Sequence, residues 1–275
     1  MAEREVAWDG VRLSASDDGS GPAVVLLHGL TATRRYVVMG SRSLERSGHR
    51  VIAYDARGHG RSSPAPTSAE YGYGDLADDL AAVLDELEIS RAVLAGASMG
   101  AHTLLQLALT SPDRVAGAVV ITPGYDPDTF DAPLRLAHWD ALANGLRTGG
   151  IEGFLAAYNV DAVPESYRDT VVKVIRQRLA MHEHPGALAD ALEVVPRSQP
   201  FSSLDELGAL AELPVTVVAS ADGPDPEHPQ ALGEAYAAAI PGARLVLDGP
   251  GKSPTAWQGS QLSSVIAEVA GRARW

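Results

Sequence analysis

The sequence predicts an α/β fold, an eight-stranded and mostly parallel sheet with helices on both faces and a helical insertion. Three observations carry this. Short runs rich in Val, Ile and Leu recur along the 275 residues, and longer helical stretches separate most of them. The later runs are continuous rather than alternating, as expected of parallel strands buried on both faces. The rhythm breaks once, after Thr122-Pro123-Gly124, where residues 125–200 hold helical stretches but no convincing strand.

Taken in order, Glu5-Val6-Ala7-Trp8 and Val11-Arg12-Leu13-Ser14-Ala15 flank Asp9-Gly10 and read as a hairpin closed by a two-residue turn. Strands follow at 23–27, 50–54, 92–95, 117–122, 215–220 and 244–247. Residues 74–87 place Leu76, Leu80, Val83, Leu84 and Leu87 on one face at helical spacing. Residues 99–109, 231–240 and 261–269 read in the same way. Right-handed crossovers between such units give a doubly wound sheet. The core is therefore expected in two parts, 1–124 and 201–275. Residues 125–200 form a helical cap over the carboxyl edge of the sheet, holding Tyr125, Phe130, Trp139, Phe154, Tyr158 and Tyr167.

Apolar residues make up 45% and charged residues 21%, an ordinary globular balance. The formal net charge of −13 argues against nucleic acid and anionic membrane as partners, since both demand basic patches. The absence of cysteine excludes disulfides, thiolate metal sites and a Cys nucleophile. No apolar segment has the length of a signal peptide or membrane span, so a cytoplasmic location is expected, with the oligomeric state open.

Gly96-Ala97-Ser98-Met99-Gly100 follows a buried strand and opens a helix, the context of a G-x-S-x-G nucleophile elbow. Such a turn raises the Ser98 hydroxyl above the sheet, at a helix N-terminus whose dipole favours developing negative charge. His28-Gly29-Leu30 directly follows the strand at 23–27. An amide just past that strand, with that of Met99, would form an oxyanion hole. His28 itself reads as a structural histidine. Tyr54-Asp55-Ala56-Arg57-Gly58-His59-Gly60-Arg61-Ser62 is a glycine-rich turn whose polar groups brace loops rather than perform chemistry.

On these motifs the chain resembles the α/β-hydrolase superfamily over nearly its whole length. Their order is H-G, D-x-R-G-x-G-x-S, G-x-S-x-G, a cap and then an acid. Within the superfamily it is similar to the enol-lactonase, cofactor-free haloperoxidase and small esterase groups. The resemblance implies Ser98 as nucleophile and the Leu30 and Met99 amides as oxyanion hole, with neither cofactor nor metal. Ser in place of Asp at the elbow argues against the haloalkane dehalogenase and epoxide hydrolase branches. The acid should follow the strand at 215–220. Asp222 and Asp225 both qualify, and Asp225-Pro226-Glu227-His228-Pro229 matches the family's D-P-x-x-P pattern.

The departure is at Lys252. The family's usual ending is Gly-His-Ser, and this chain reads Gly251-Lys252-Ser253-Pro254. A lysine starts near a pKa of about 10.4, and an adjacent Asp225 carboxylate would favour its charged form. Lys252 therefore reads as an ion-pair partner more naturally than as a base, although Ser–Lys chemistry exists. His228, on the loop after the acid, is the best substitute base. His102 is expected to point away from the hydroxyl. His182 and His184 lie in the cap and make an improbable two-ligand metal site. Three functions remain in competition: hydrolysis of a small ester or lactone at its carbonyl, non-hydrolytic isomerase, lyase or cyclase chemistry in the same pocket, and ligand binding by a pseudoenzyme.

Overall fold

A computed structural model of the chain describes residues 2–220, 227–247 and 259–275. It opens with an antiparallel hairpin, β1 (Ala2–Trp8) and β2 (Val11–Asp18), turned at Asp9 and Gly10, both at positive φ. Next come β3 (Ala23–Leu27), a single-turn helix α1 (Ser43–Arg46), β4 (Arg50–Tyr54), α2 (Tyr73–Glu86), β5 (Ala92–Ala97) and α3 (Met99–Thr110). They are followed by β6 (Val115–Ile121), α4 (Pro133–Ala157), α5 (Glu165–Leu179) and α6 (Pro185–Val194). The chain returns to the sheet with β7 (Val215–Ala219), α7 (Gln230–Ala239), β8 (Arg244–Leu247) and α8 (Gly259–Arg272).

The sheet has eight strands in the order β1-β2-β4-β3-β5-β6-β7-β8. The hairpin joins antiparallel, and every pairing from β4 across to β8 is parallel. β3, β6 and β7 are buried along their full length and β5 at all but its last residue, which accounts for their uninterrupted apolar runs. One face carries Leu80, Leu84, Leu104 and Leu105 of α2 and α3. The other carries Leu44 of α1 with Leu262, Ile266 and Val269 of α8.

Between β6 and β7 no strand occurs among the described residues. α4 is broken at Gly150, and its two arms cross where Gly145 and Gly153 touch backbone to backbone. Leu142, Leu146 and Phe154 of α4 pack with Leu188 and Leu192 of α6 against Leu30, Tyr73 and Met99 of the sheet layer. This third core ties the helical segment to the loops that follow β3 and β5.

Candidate active site

Ser98 is the turn between β5 and α3. Its φ of 51° and ψ of −114° put a non-glycine residue in a sparsely populated region, a strain of about 1–3 kcal/mol that the surroundings must hold. They do so from both sides: the Ser98 amide donates to Ile121 O at 2.9 Å, and its carbonyl accepts from the Ala101 and His102 amides. The flanking glycines are required by space. A Cβ on Gly96 would lie 2.3 Å from the Gly100 carbonyl group, and one on Gly100 would lie 2.4 Å from Leu27 O.

The loop after β3 lies beside the serine, since a Cβ built on Gly29 would meet Ser98 Cβ at 3.6 Å. His28 orients this loop. Its Nε2 accepts from the Ala56 amide at 2.9 Å, so Nδ1 carries the proton and donates to Gly29 O at 2.9 Å. Burial lowers the His28 pKa to about 3, so the ring stays neutral. The Ala32 amide also donates to Gly29 O. Two donors on one side of a trans peptide direct the Leu30 N–H to the other side. Neither the Leu30 nor the Met99 amide donates a hydrogen bond among the described residues, and both residues line the cavity with Ser98.

The glycine-rich turn after β4 is a brace throughout. Asp55 accepts from the Arg34 amide at 2.8 Å, and Ser62 Oγ donates to Asp55 O at 2.6 Å. Arg57 makes a buried bidentate pair with Asp79 of α2, at 2.8 and 2.7 Å. The His59 ring lies between the carbonyls of Arg57 and Leu30. His182, from the segment before α6, accepts from the Gly60 amide and contacts Thr31 O, so it ties that segment to the turn and stays away from Ser98. No group of three metal-ligating side chains occurs among the described residues.

His228, between β7 and α7, places Nε2 2.8 Å from Ser98 Oγ. The sequence makes it a loop histidine whose default surroundings are water; the fold brings it onto the hydroxyl. Gly124 gives it room, because a Cβ there would meet His228 Cδ2 at 2.9 Å and Glu227 O at 3.0 Å. His102 faces the other way, as its place on α3 implies. Its Nε2 accepts from the Gly124 and Tyr125 amides at 3.2 and 3.1 Å, and its Nδ1 lies 3.0 Å from Tyr73 Oη. Burial, reinforced by the neighbouring His228, lowers its pKa to about 3. Asp222, Asp225 and Lys252 lie outside the described residues.

Ser98 and His228 open onto a cavity of about 250 Å³. Trp139, Leu142 and Phe154 of α4 wall it, together with Tyr73 and Arg135. Sequence reasoning missed these last two. Tyr73 merely begins a helix and Arg135 sits in a segment without a motif, so neither carries a local signal.

The alpha/beta hydrolase fold family model matches residues 22–145, the stretch that holds the turn after β4 and the elbow. The fold extends to the whole chain in solved structures. A thermophilic esterase from Thermogutta terrifontis, solved with malate bound, superposes with a TM-score of 0.79 at 26% identity, covering 99% of both chains. The chain has the α/β-hydrolase fold. A further structural relative is Est816, described as an N-acyl homoserine lactone degrading enzyme, with a TM-score of 0.73, 25% identity and 98% and 99% of the two chains covered. The curated relatives match only in part, and this chain spans half or less of the length of the first of them. One is an epoxide hydrolase of Caballeronia sordidicola, 38% identical over 114 residues, or 42% of this chain and 35% of that one. No helix among the described residues is long and apolar enough to cross a membrane.

Proposed function

We propose that this α/β-hydrolase hydrolyses a small ester or lactone through Ser98, with His228 as the general base. The observation that carries this is the 2.8 Å contact between His228 Nε2 and Ser98 Oγ, the reach a general base needs. Neutral His228 takes the hydroxyl proton as Oγ attacks the substrate carbonyl. The oxyanion is received by the Leu30 and Met99 amides. The imidazolium then protonates the departing alkoxide, leaving an acyl-enzyme on Ser98. Water attacks that ester with His228 again as base, and the proton returns to Oγ as the acid leaves.

Residues 125–200 act as the cap that shapes the cavity and selects the substrate. Asp225, or Asp222, supplies the acid, and Lys252 serves as an ion-pair partner rather than as the proton acceptor. The matches to an esterase and to a lactone-degrading enzyme support this reaction class. Ser98 at the elbow disfavours the chemistry named for the epoxide hydrolase relative.

A fluorophosphonate probe tests the reading. Wild type should label rapidly at one site, and Ser98→Ala should abolish labelling. His228→Gln should slow it severely, while Lys252→Ala should leave it within a few-fold. Loss of labelling in Lys252→Ala with retention in His228→Gln would assign the base to the lysine instead.

A further inference from the structure

We propose that Tyr73 and Arg135 form an anion-accepting end of the cavity, so that the preferred substrate is an ester or lactone bearing a carboxylate away from the scissile carbonyl. This substrate class rests on the Ser98–His228 reading, but the binding end itself does not.

Two backbone amides donate to His102 Nε2, so that nitrogen offers its lone pair and the ring hydrogen is on Nδ1. His102 is neutral, so Nδ1–H donates to Tyr73 Oη across 3.0 Å. A tyrosine that receives this bond keeps its own O–H to give. Among the described residues nothing accepts it, and Tyr73 lines the cavity while only 5% exposed. Burial raises its pKa, so the phenol stays a neutral donor at physiological pH.

Arg135 is an independent observation. One guanidinium nitrogen, Nη1, donates to Phe130 O and Pro196 O at 2.7 and 3.0 Å, which pins the side chain. No carboxylate among the described residues pairs with it, although acidic residues outnumber basic ones by 35 to 22. Arg147, on the same helix, shows the usual outcome, held by both Asp190 and Glu193. Arg135 lines the same cavity as Tyr73, His102 and Tyr125.

A fixed guanidinium with free donors, on the same cavity as a phenol with a free hydrogen, offers the donors a carboxylate takes. The apolar wall of Leu142 and Phe154 strengthens such a bond by excluding water. Tyr73 is linked to His228 through the His102 ring and then Gly124, whose amide donates to His102 and on which a Cβ would meet His228. The anion would therefore sit apart from the reacting carbonyl, and a bifunctional substrate could span the two.

The test compares two activated esters of similar length, p-nitrophenyl butyrate and the mono-p-nitrophenyl ester of glutaric acid. Wild type should favour the acidic ester in kcat/KM. Arg135→Gln should lower the ratio of the two constants about 10- to 100-fold, mainly through KM for the acidic ester, as loss of a charged hydrogen-bonding group implies. Tyr73→Phe should lower the ratio by less, and the same charge removal at exposed Arg244 should leave it alone. Calorimetric binding of glutarate should follow the same order, independently of turnover. Fluorophosphonate labelling of Ser98 with no preference for the acidic ester, and no glutarate binding sensitive to Arg135, overturns this inference while sparing the catalytic one. Absent labelling with glutarate binding that Arg135→Gln weakens does the reverse.

Discussion

His228 and Gly124 illustrate how one side chain's position depends on another's absence. The imidazole reaches Ser98 only because no Cβ stands on Gly124. Gly124→Ala should therefore push the ring off the hydroxyl, and kcat on p-nitrophenyl butyrate should fall with thermal stability nearly intact. Direct removal of the base is the sharper experiment. His228→Gln should lower kcat about 10²- to 10⁴-fold, the usual contribution of a general base. The pH profile separates the roles, since loss of a general base flattens its acid limb and a merely displaced loop does not. If His228→Gln retains both wild-type kcat and the acid limb, the base is elsewhere.

At the scale of elements, the elbow and the turn after β4 are built differently. The elbow is secured by close backbone approach, through Gly96 and Gly100. The turn is secured by the Arg57–Asp79 pair, whose side chains are 2% and 0% exposed. Removing one partner strands a buried charge, so Asp79→Ala should cost about 3–5 kcal/mol of unfolding free energy by denaturant titration. Asp79→Asn should recover part of it by keeping one hydrogen bond to Arg57. Elements of this kind were legible in the sequence because they depend on local spacing: the buried strands, the Asp9-Gly10 hairpin and the G-x-S-x-G turn all have short-range signatures. His28 and the Asp55–Ser62 turn were legible as braces for the same reason. The His228 contact was legible only in part, through the place of that residue on the loop after the acid, which made it the best substitute base. It spans 130 residues, and nothing around Pro226-Glu227-His228 distinguishes a ring over a serine from a ring in water. Tyr73 of α2 and Arg135 of α4 line one cavity with no shared motif to announce them.

Across the whole molecule, the histidines make the fold sensitive to acid. His28, His102 and His182 are buried and neutral, each with its pKa lowered to about 3 mainly by desolvation. In the unfolded chain each returns to about 6.5. Below that value the unfolded state binds more protons than the native one, so stability falls as pH drops from about 6.5 toward about 3. Above it, none of the three contributes a slope. At pH 5 each site should cost about 2 kcal/mol relative to neutral pH, or about 6 kcal/mol together, a large share of the stability of an ordinary domain. The denaturation midpoint should thus decline steeply from pH 7 to pH 5. His102→Gln should flatten that decline by roughly one third, although it lowers stability at pH 7 by disturbing the Tyr73 and Gly124 contacts. An unchanged midpoint over this range would mean that the three rings are reached by water and protonated in the native fold.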